Sequence, residues 1–315
     1  MTKHILVTGG AGFIGSNLVT YFNARSPDTA ITVYDDFSSG RESNLLESRC
    51  TVIRDTILNQ VSLDKAFNGV DSVVHLAAIG SVPRSISAPR LTHDANTTGT
   101  LNVLEAARKN DIEHVVVASS SSVYGSNPSM PKSEFDWTRP LSPYGVSKLA
   151  TESYALSYGS SYGMKTLAMR FFNVYGPRQH ADHVYAAVVP RFIEAALSGK
   201  PLVVYGDGLQ SRDFTNVTSV CSALYSSCMS YLHHEQAVNL AFGTNTTLLA
   251  LVDLLESIIG EKLILQHEPS RSGDVRASQA DPSLLKELLP NVKPVELTLG
   301  LEQSVAWFRH MRQGY

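Results

Sequence analysis

The first half of the chain alternates short apolar runs with longer stretches of helical character. The apolar runs are rich in β-branched and aliphatic residues and predict strands, whereas the longer stretches predict helices. This alternation predicts an α/β fold, a doubly wound parallel sheet with helices on both faces. We predict strands at His4–Thr8, 30–34, Thr51–Arg54, 72–76 and 114–118, and helices at 13–22, 61–67 and 89–109.

The second half of the chain, beyond about residue 174, is less regular. We predict helices at 189–198, 217–231 and Leu248–Ile259. Thr246 and Thr247 are candidates for capping the last of these helices. The second half therefore supplies helices without the regular alternation that predicts a sheet.

Composition narrows the possible functions. The chain has 315 residues, of which 43% are hydrophobic and 17% charged, and its formal net charge is -3. This balance argues against nucleic acid or a membrane surface as a partner, because either usually goes with an excess of basic residues. No apolar run approaches the ~18 residues that a bilayer span needs, and the first residues lead directly into a strand. We therefore expect a cytoplasmic protein.

Cysteine and histidine spacing predicts neither a disulfide framework nor a metal site. Cys50, Cys221 and Cys228 are odd in number and lack paired spacing, so three buried thiols are expected. His180 and His183 are three residues apart, but they lie in a region rich in Gly and Pro with no third ligand nearby. We predict no bound metal.

Three glycines follow the first predicted strand. Gly9, Gly12 and Gly15 have the spacing G-x-x-G-x-x-G, a variant of the dinucleotide fingerprint that allows a tight turn, close approach of a pyrophosphate and close helix packing. Asp35 ends the second predicted strand, twenty residues beyond Gly15. A carboxylate there accepts hydrogen bonds from ribose hydroxyls and repels a 2′-phosphate, so the sequence favours NAD over NADP.

Other polar residues follow the carboxyl ends of predicted strands, where ligands collect in such sheets. Asp55 is either an ordinary surface carboxylate or a contact to the adenine, and we favour the adenine. The serines from Ser119 to Ser122 form either a polar turn or the source of a hydroxyl for a substrate oxygen, with Ser120 the most plausible donor. His75 is interpreted as a strand-end histidine with satisfied hydrogen bonds rather than as a catalyst.

The segment from Leu141 to Lys148 carries the predicted chemistry. Pro143 suits the first turn of a helix, and Tyr144 and Lys148 are then four residues apart on one helical face. Lowering the pKa of a tyrosine from near 10 to about 7 takes about 4 kcal/mol, which one cation about 4 Å away supplies at an effective dielectric near 20. We predict that Lys148 holds Tyr144 as a phenolate base, although such a pair also occurs by chance as a surface tyrosine beside a solvated lysine.

Together these motifs resemble the extended short-chain dehydrogenase/reductase family, in its nucleotide-sugar-modifying branch. The resemblance covers essentially the whole chain and implies a Rossmann domain that binds NAD and a smaller interleaved α/β domain that binds a UDP-sugar. The motifs that carry it are Gly9 to Gly15, Asp35, Asp55, His-Leu-Ala-Ala at 75–78, Ser-Ser-Ser-Val-Tyr-Gly at 120–125, Tyr144-x-x-x-Lys148, Arg-Phe-Phe-Asn-Val-Tyr-Gly at 170–176, Gly-Asp-Gly at 206–208, Arg-Asp-Phe at 212–214 and Arg-Ser-Gly-Asp at 271–274.

Within the family the chain is most similar to the UDP-sugar 4-epimerases, particularly those acting on UDP-N-acetylglucosamine and UDP-N-acetylgalactosamine. Members that eliminate water carry Asp-Glu where this chain has Ser121 and Ser122, which supply no acid near neutral pH. Ser278 stands where epimerases restricted to unsubstituted hexoses tend to have a bulky residue, and it leaves room for an acetamido group. UDP-glucose and UDP-glucuronate stay open as substrates, although glucuronate epimerases often have threonine at the position of Asn173.

The resemblance also assigns roles to individual residues. Ser120, Tyr144 and Lys148 would be catalytic, with Tyr144 and Ser120 acting on the 4-hydroxyl while hydride passes to NAD and returns to the opposite face of the sugar. The implied cofactor-binding residues are Gly9, Gly12, Phe13, Ile14, Gly15, Asp35, Asp36, Ser39, Gly40, Asp55, Thr56, Leu76, Ala77, Ala78, Asn96, Ala118, Tyr144, Lys148 and Phe171. The implied substrate-binding residues are Gly80, Ser81, Ser120, Ser122, Tyr144, Asn173, Ala187, Val188, Val204, Tyr205, Arg212, Arg271, Asp274 and Ser278.

Some of these residues have a plain structural alternative. Arg212 and Arg271 would bind the diphosphate, or else form surface salt bridges with the adjacent Asp213 and Asp274. Tyr205 is a candidate for stacking on the uracil. Asn173 could simply cap a strand end, and Tyr124 and Phe171 are expected to pack around the nicotinamide.

The resemblance further implies the domain organisation and the oligomeric state. The NAD-binding domain would comprise residues 1–173 plus about 215–243, and the sugar-binding domain about 174–214 plus 244–315. A homodimer would form through the helices near 95–109 and 144–162. A non-enzymatic alternative, an NAD-binding redox sensor, is disfavoured because such proteins generally lose the tyrosine, the lysine or the active serine.

Overall fold

The structure, a computed structural model, describes residues 3–182, 186–270 and 276–313. In this part of the chain a seven-stranded sheet is accompanied by a three-stranded sheet and two two-stranded ones. The strands in chain order are β1 (His4–Thr8), β2 (Ala30–Asp35), β3 (Thr51–Arg54), β4 (Ser72–His75), β5 (His114–Ser120), β6 (Lys165–Phe171), β7 (Val174–Tyr175), β8 (Leu202–Tyr205), β9 (Ser211–Arg212), β10 (Thr215–Asn216), β11 (Val238–Leu240), β12 (Thr246–Thr247), β13 (Leu265–Glu268) and β14 (Ala277–Ser278).

Helices connect most of these strands. A π-helical turn at Asp94–Thr98 and a 3-10 turn at Ser121–Val123 occur beside the α-helices. The α-helices in chain order are α1 (Phe13–Arg25), α2 (Gln60–Ala66), α3 (Val82–Ser87), α4 (Pro89–His93), α5 (Gly99–Lys109), α6 (Pro143–Tyr162), α7 (Val188–Leu197), α8 (Val217–Ser230), α9 (Leu248–Ile259), α10 (Ser283–Leu288) and α11 (Leu297–Gln313).

The large sheet has the strand order β11-β6-β5-β4-β1-β2-β3, and every neighbouring pair is parallel. All seven residues of β5 are buried, as expected for a central strand covered on both faces. The strand order reverses between β1 and β4, and open α/β sheets bind ligands beyond the strand ends at such a point. The predicted doubly wound parallel sheet is confirmed.

Helices pack on both faces of this sheet. Because successive side chains of a strand point to opposite faces, Ile5 and Val7 pack with α1 and α8, whereas Leu6 packs with α2, α5 and α6. The two hydrophobic clusters lie on opposite sides of the sheet and fix the positions of its strand ends.

A third hydrophobic cluster belongs to the second half of the chain. It joins α7, α9 and α11 through side chains such as Phe192, Leu251 and Phe308. The helix α8 packs on the large sheet and the strand β11 pairs with β6 at its end. One segment differs from the predicted division, because Leu285 and Leu289 of α10 and its following turn pack in the cluster beneath the large sheet.

Several sequence-based element bounds agree with the structure. The helix predicted at Leu248–Ile259 has those bounds, and the Thr247 hydroxyl caps it by accepting the Ala250 N–H at 3.1 Å. The region predicted as one helix over 89–109 is helical throughout but is interrupted by the π-helical turn.

Two further properties concern ligands and membranes. Over the described ranges, no helix is long and apolar enough to cross a membrane, and no group of three or more His, Cys, Asp or Glu residues is placed to hold a metal ion. Cys221 and Cys228 are buried free thiols. The expectation of a third buried thiol is wrong for Cys50, which is only half-buried because it precedes β3 at the edge of the sheet.

Candidate active site

The turn between β1 and α1 is tight, because Gly9 and Gly15 leave no room for a Cβ. Gly9 has a φ of +70°, and a Cβ there would lie 2.7 Å from the backbone nitrogen of Ala77. A Cβ on Gly15 would overlap the Gly9 carbonyl oxygen. Gly12 is the N-cap of α1 and has no side chain to cover the N–H groups of Phe13 and the rest of the first turn. Such a helix N-terminus offers hydrogen-bond donors and a positive dipole to a diphosphate.

Asp35 braces this glycine turn as well as facing the predicted ribose position. Its Oδ2 accepts the Ala11 N–H at 2.9 Å, and its Oδ1 accepts the Phe37 N–H at 2.8 Å. Burial raises the pKa of the carboxyl, and these hydrogen bonds oppose the rise. Both oxygens keep lone pairs with which to accept ribose hydroxyls. The bracing role was not visible in the sequence.

The other residues predicted around the ribose and adenine surround Asp35. A Cβ on Gly40 would lie 3.0 Å from Asp35 Oδ1. Asp36 and Ser39 are exposed beside it. The Asp55 N–H donates to the Asp35 carbonyl at 3.2 Å.

Asp55 itself is half-buried and turned towards its own loop. Its carboxylate accepts the Thr56 N–H at 2.7 Å and the Asn59 Nδ2 at 2.8 Å. Hydrogen bonds from Ser62 and Thr56 hold the pKa of the carboxyl below its usual value. Contact between Asp55 and the adenine stays a prediction.

The helix α6 begins where the sequence predicts. The Ser142 hydroxyl caps it by accepting the Gly145 N–H at 3.1 Å, and Pro143 is its first residue. A Cβ on Gly145 would lie only 2.8 Å from the Ser122 carbonyl oxygen. The glycine therefore lets the helix approach the serine turn that follows β5, which brings Tyr144 to Ser120.

The structure brings Ser120, Tyr144 and Lys148 together but corrects the electrostatic argument. The Lys148 Nζ donates to the Ala118 carbonyl at 2.8 Å, and burial lowers the pKa of its ammonium to about 8. Burial raises the pKa of Tyr144, and the hydrogen bond with Ser120 opposes the rise. The prediction that Lys148 alone holds the phenolate is wrong, because it counted the attraction to the cation and left out the cost of desolvating the phenolate.

Asn96 fixes the backbone just before Gly80 and Ser81, two of the residues predicted to bind the substrate. Its Oδ1 accepts the Ile79 N–H at 2.7 Å, and its Nδ2 donates to the Ile79 carbonyl at 3.2 Å and to Ser147 Oγ at 2.9 Å. Gly80 follows, and a Cβ there would meet nothing within 4 Å. Ser81 uses its hydroxyl to cap α3. Asn96 lies in the π-helical turn, a feature that often marks functional sites and that the sequence pattern did not reveal.

Five of the predicted substrate residues of the second half line one cavity. It has a volume of about 250 Å³ and lies between α7, β8 and β9. Its lining includes the predicted Asn173, Ala187, Val188, Tyr205 and Arg212 and also Val174, Ala186, Val189, Arg191, Val203, Gln210, Phe214 and Leu248.

Some lining residues were missed by the sequence analysis. Arg191 stacks over the Tyr205 ring at 5.8 Å and lies one helical turn after Val188, a spacing that could have identified it. Val204 is fully buried in the third hydrophobic cluster, whereas Val203 lines the cavity. The side chain of Val204 therefore points into the core, and its contact with the substrate stays a prediction.

Arg212 is not paired with Asp213, its neighbour in the chain. The Asp213 side chain is fully buried and accepts hydrogen bonds from Gly243 N at 3.0 Å, Ala280 N at 3.1 Å and Thr244 Oγ1 at 2.7 Å. The structural alternative for Arg212, a salt bridge with Asp213, is therefore wrong.

Ser278 and Asn173 are joined to the same strand. Ser278 is the strand partner of Arg212 in the β9–β14 pair, and its carbonyl accepts the Asp213 N–H at 2.7 Å. The Asn173 Nδ2 donates to the Asp213 carbonyl at 3.3 Å. The predictions made for Arg271 and Asp274 lie outside the described residues.

Three aromatic or histidine predictions are decided by hydrogen bonds and burial. His75 is satisfied as predicted, with Nδ1 2.8 Å from Thr8 Oγ1 and Nε2 3.0 Å from Thr100 Oγ1, and burial lowers its pKa to about 3. Phe171 packs against the first hydrophobic cluster at the end of β6. Tyr124 differs from the expectation, because it is almost fully buried in a separate core cluster and its hydroxyl bonds inside the fold.

The residues at the strand ends of the large sheet fit NAD. The glycine turn leaves backbone donors for a diphosphate, and Asp35 presents a carboxylate with free lone pairs at the end of the next strand. Leu76 and Ala77 lie against Gly9, where the N–H of Leu76 donates to the Thr8 carbonyl at 3.1 Å. The site therefore has the donor and acceptor pattern that a dinucleotide requires.

Comparisons with known proteins agree with this geometry. The model of the NAD dependent epimerase/dehydratase family matches residues 5–241. A putative UDP-glucose 4-epimerase of Methanocaldococcus jannaschii is 34% identical over 310 residues, covering 97% of this chain and 98% of the relative.

Two solved structures resemble the whole chain. A UDP-N-acetylglucosamine 4-epimerase from Methanobrevibacter ruminantium, in complex with UDP-N-acetylmuramic acid, has a TM-score of 0.92 and 36% identity, covering 98% of this chain and 99% of the other. A UDP-glucuronic acid 4-epimerase from Bacillus cereus, in complex with UDP-glucuronic acid and NAD, has a TM-score of 0.89 and 32% identity with the same coverage of 98% and 99%.

Proposed function

This chain belongs to the NAD-dependent epimerase/dehydratase family, and from that premise we propose that it interconverts UDP-N-acetylglucosamine and UDP-N-acetylgalactosamine. Its activity is the NAD-dependent 4-epimerisation of a UDP-sugar, as in its relatives. The identity of the sugar is the part that we propose. It depends on the wall formed by Gly80, Ser81, Ser122, Asn173, Ala187 and Ser278.

The observation that carries the proposal is the position of Ser278. It is small and half-buried, and it is the strand partner of Arg212, which lines the cavity, so we place Ser278 beside that cavity. Ala187 is another small residue of the same cavity, and the space around Gly80 is open. These side chains leave volume for an acetamido group. None of the six wall residues carries a charge, which favours a neutral sugar over a uronic acid.

The chain's own groups suit the oxidation and re-reduction of one carbinol. Bound NAD would supply the hydride acceptor and a positive ring whose charge opposes the effect of burial on Tyr144. Tyr144 takes the proton of the 4-hydroxyl as carbon 4 is oxidised, and returns it after the sugar has turned. Ser120 already bonds with Tyr144, so both hydroxyls can reach the same substrate oxygen. Lys148, anchored on Ala118, keeps a positive charge beneath them at neutral pH.

The nucleotide is held away from this chemistry. We propose that Arg191 and Arg212 bind the diphosphate and that Tyr205 stacks on the uracil. All three line the cavity of the second half, and guanidinium groups match phosphate geometry. Because the nucleotide is bound tightly, the sugar can present either face to the cofactor.

The test is parallel incubation with UDP-N-acetylglucosamine, UDP-glucose and UDP-glucuronate, with the products resolved by NMR. We expect the 4-epimer of the acetylated sugar to form fastest. Exclusive turnover of UDP-glucuronate would overturn the argument from the uncharged wall. Equal turnover of UDP-glucose and the acetylated sugar would remove the claimed preference and leave the 4-epimerase activity in place.

We also propose a homodimer through the faces of α5 and α6. Leu101 on α5 and Tyr154 on α6 are only partly covered by the core, and Val146 on α6 is 56% exposed. A second copy would cover these apolar side chains. Sedimentation of the protein should give twice the chain mass, and Val146→Glu should shift it towards the monomer; a wild-type monomer would contradict the proposal.

A further inference from the structure

Three consecutive residues at the end of β5 each hold the helix α6. The Ala118 carbonyl accepts the Lys148 ammonium at 2.8 Å. The Ser119 hydroxyl lies 3.3 Å from the Lys148 carbonyl, and the Ser120 side chain is close enough to Tyr144 to lower the pKa of its phenol, which burial raises. Together these contacts fix both the rotation of the helix and its height along the strand.

The strongest part of this attachment is a carboxylate that the proposed chemistry does not use. Glu152 follows Lys148 by four residues, so it lies on the same helical face one turn further along. It is 2% exposed, and its Oε2 accepts the Ser119 hydroxyl at 2.6 Å. Ser119, the central one of the three β5 residues, is thus bound to the helix through the buried carboxylate of Glu152.

Arg170 fixes that carboxylate to the next strand. Its Nε donates to Glu152 Oε2 at 3.0 Å and its Nη2 to Oε1 at 2.8 Å, a two-point geometry that sets orientation as well as distance. Arg170 is also the strand partner of Ser119 and donates through Nη1 to the Tyr124 hydroxyl at 2.9 Å. Tyr124 in turn donates to Asn239 on β11 at 2.7 Å. The helix is therefore anchored across three neighbouring strands.

Stability alone does not account for a charged pair at this position. A buried ion pair is often no more stabilising than apolar side chains of similar volume, because desolvation offsets the attraction. The hydrophobic attraction between apolar side chains is non-directional, whereas a two-point ion pair with a third bond to Ser119 sets both distance and angle. The ion pair therefore contributes a fixed orientation of α6 rather than additional stability.

We infer that Glu152 is a positioning residue that, through Ser119 and Arg170, sets the register of α6 so that Tyr144 meets Ser120 and Lys148 meets Ala118. The inference rests on the proposed function, in which Tyr144 transfers the proton. It adds a requirement on the register of α6 that correct folding alone does not guarantee. A small rotation of α6 would leave the protein folded and the nucleotide bound while moving the phenol away from the sugar.

The decisive variant is the double substitution Glu152→Met with Arg170→Met, which removes both charges and leaves no buried ion alone. We expect wild-type thermal stability, a KM for the UDP-sugar within twofold of wild type, and a kcat lower by about 10-fold to 100-fold, the size of effect that a displacement near 1 Å produces. Ser119→Ala, a milder change, should lower kcat in the same direction by a smaller factor. Tyr158→Phe is the matched control, because it removes a 2.6 Å bond between α6 and Glu105 of α5 without touching β5, and it should leave kcat unchanged.

Two results would overturn the inference. One is a double variant with wild-type kcat, and the other is a crystal structure of that variant in which the Tyr144–Ser120 hydrogen bond is retained. The crystal structure also separates this inference from the proposed function. If the wild-type protein turned over no UDP-sugar at all, the proposed function would fail, and the Tyr144–Ser120 geometry would still decide whether Glu152 positions the helix.

Discussion

On the cofactor side of the active site, side chains stand at the ends of strands in one continuous seven-stranded sheet, whereas on the substrate side they come from short segments that pair two residues at a time. The cofactor side gets its shape from the sheet, and its glycines and Asp35 only refine it. The substrate side includes the pairs β9–β12, β9–β14 and β7–β10, each two residues long. The continuous sheet therefore holds the cofactor side in place, whereas the short strand pairs of the substrate side need a residue that connects them.

Asp213 is that connector. Its side chain binds Gly243, Thr244 and Ala280, and its backbone binds Asn173 and Ser278. The residues on either side of it, Arg212 and Phe214, both line the substrate cavity. A single buried carboxylate thus ties together segments that are far apart in the sequence, a task that the continuous sheet performs on the cofactor side.

The largest expected effect tests the chemistry that both sides share. Tyr144→Phe should lower kcat by about 10³-fold, because the phenol is the only proton-transfer group proposed for the 4-hydroxyl. The KM for the UDP-sugar should change little, since the nucleotide is held elsewhere. Steady-state kinetics with the acetylated sugar measures both. The control is Tyr162→Phe at the exposed end of the same helix, which should behave as wild type, and full epimerisation by Tyr144→Phe would refute the mechanism.

The next effect separates the two sides. Asp213→Asn keeps an oxygen for the N–H groups of Gly243 and Ala280, which share Oδ2, but it turns an amide N–H towards Thr244 and removes the charge from these hydrogen bonds, so we expect the free energy of unfolding to fall by about 2 kcal/mol. The KM for the UDP-sugar should rise about 10-fold, while NAD affinity measured by calorimetry stays near wild type. Asp253→Asn, on the exposed face of α9, is the control. A parallel loss of NAD affinity would show that the two sides are not independent.

A smaller effect tests the substrate side alone. Ser278→Tyr should lower kcat/KM for UDP-N-acetylglucosamine relative to UDP-glucose by about 10-fold to 100-fold, because the ring would occupy the volume assigned to the acetamido group. Competition kinetics with both sugars gives the ratio directly. Ser160→Tyr, on the exposed side of α6, is a control for the added ring. Equal losses on both sugars would place Ser278 elsewhere than in the acetamido wall.

The last effect, at most about 1.4 kcal/mol for each pH unit, belongs to the cofactor side and appears as a dependence on pH. Burial lowers the pKa of Lys148 from 10.5 to about 8, so between these values the unfolded chain holds a proton that the folded chain has released. From this group, the free energy of unfolding should rise with pH over that window by up to about 1.4 kcal/mol per unit. Urea unfolding of wild type and Lys148→Met at pH 8 and pH 10 measures it. Equal slopes of unfolding free energy against pH for the two proteins would contradict the lowered pKa of Lys148. Lys109→Met, at the exposed end of α5, controls for the general loss of a positive charge.

The contrast between the continuous sheet and the two-residue strand pairs explains which features could be predicted from the sequence. The sheet and the glycine turn were readable because β-branched runs and glycine spacing are local signals, and the cap at Thr247 was readable for the same reason. The partnership of Ser278 with Arg212 was not, because two-residue strands have no periodicity to detect. Which of Val203 and Val204 faces the cavity was not predictable either, because β8 is apolar on both faces.

The electrostatics of Tyr144 failed for a different reason. Sequence spacing places Lys148 near the phenol, but it cannot show how deeply both groups are buried or that the ammonium is taken up by the Ala118 carbonyl. Burial is a property of the assembled fold. Residue types can therefore identify the proton-transfer groups without giving their pKa values.

The position of β11 at the outer end of the large sheet has a consequence for synthesis on the ribosome. Among the described residues, β11 is the strand that pairs with the outer edge of β6, and residues 172–237 must be translated between them. At ~5–20 residues per second, this leaves the edge of a nascent sheet unpaired for about 3 to 13 s. During that interval the exposed edge is a target for aggregation and for chaperones, so mutations that delay the arrival of β11 should reduce soluble yield without altering the finished enzyme.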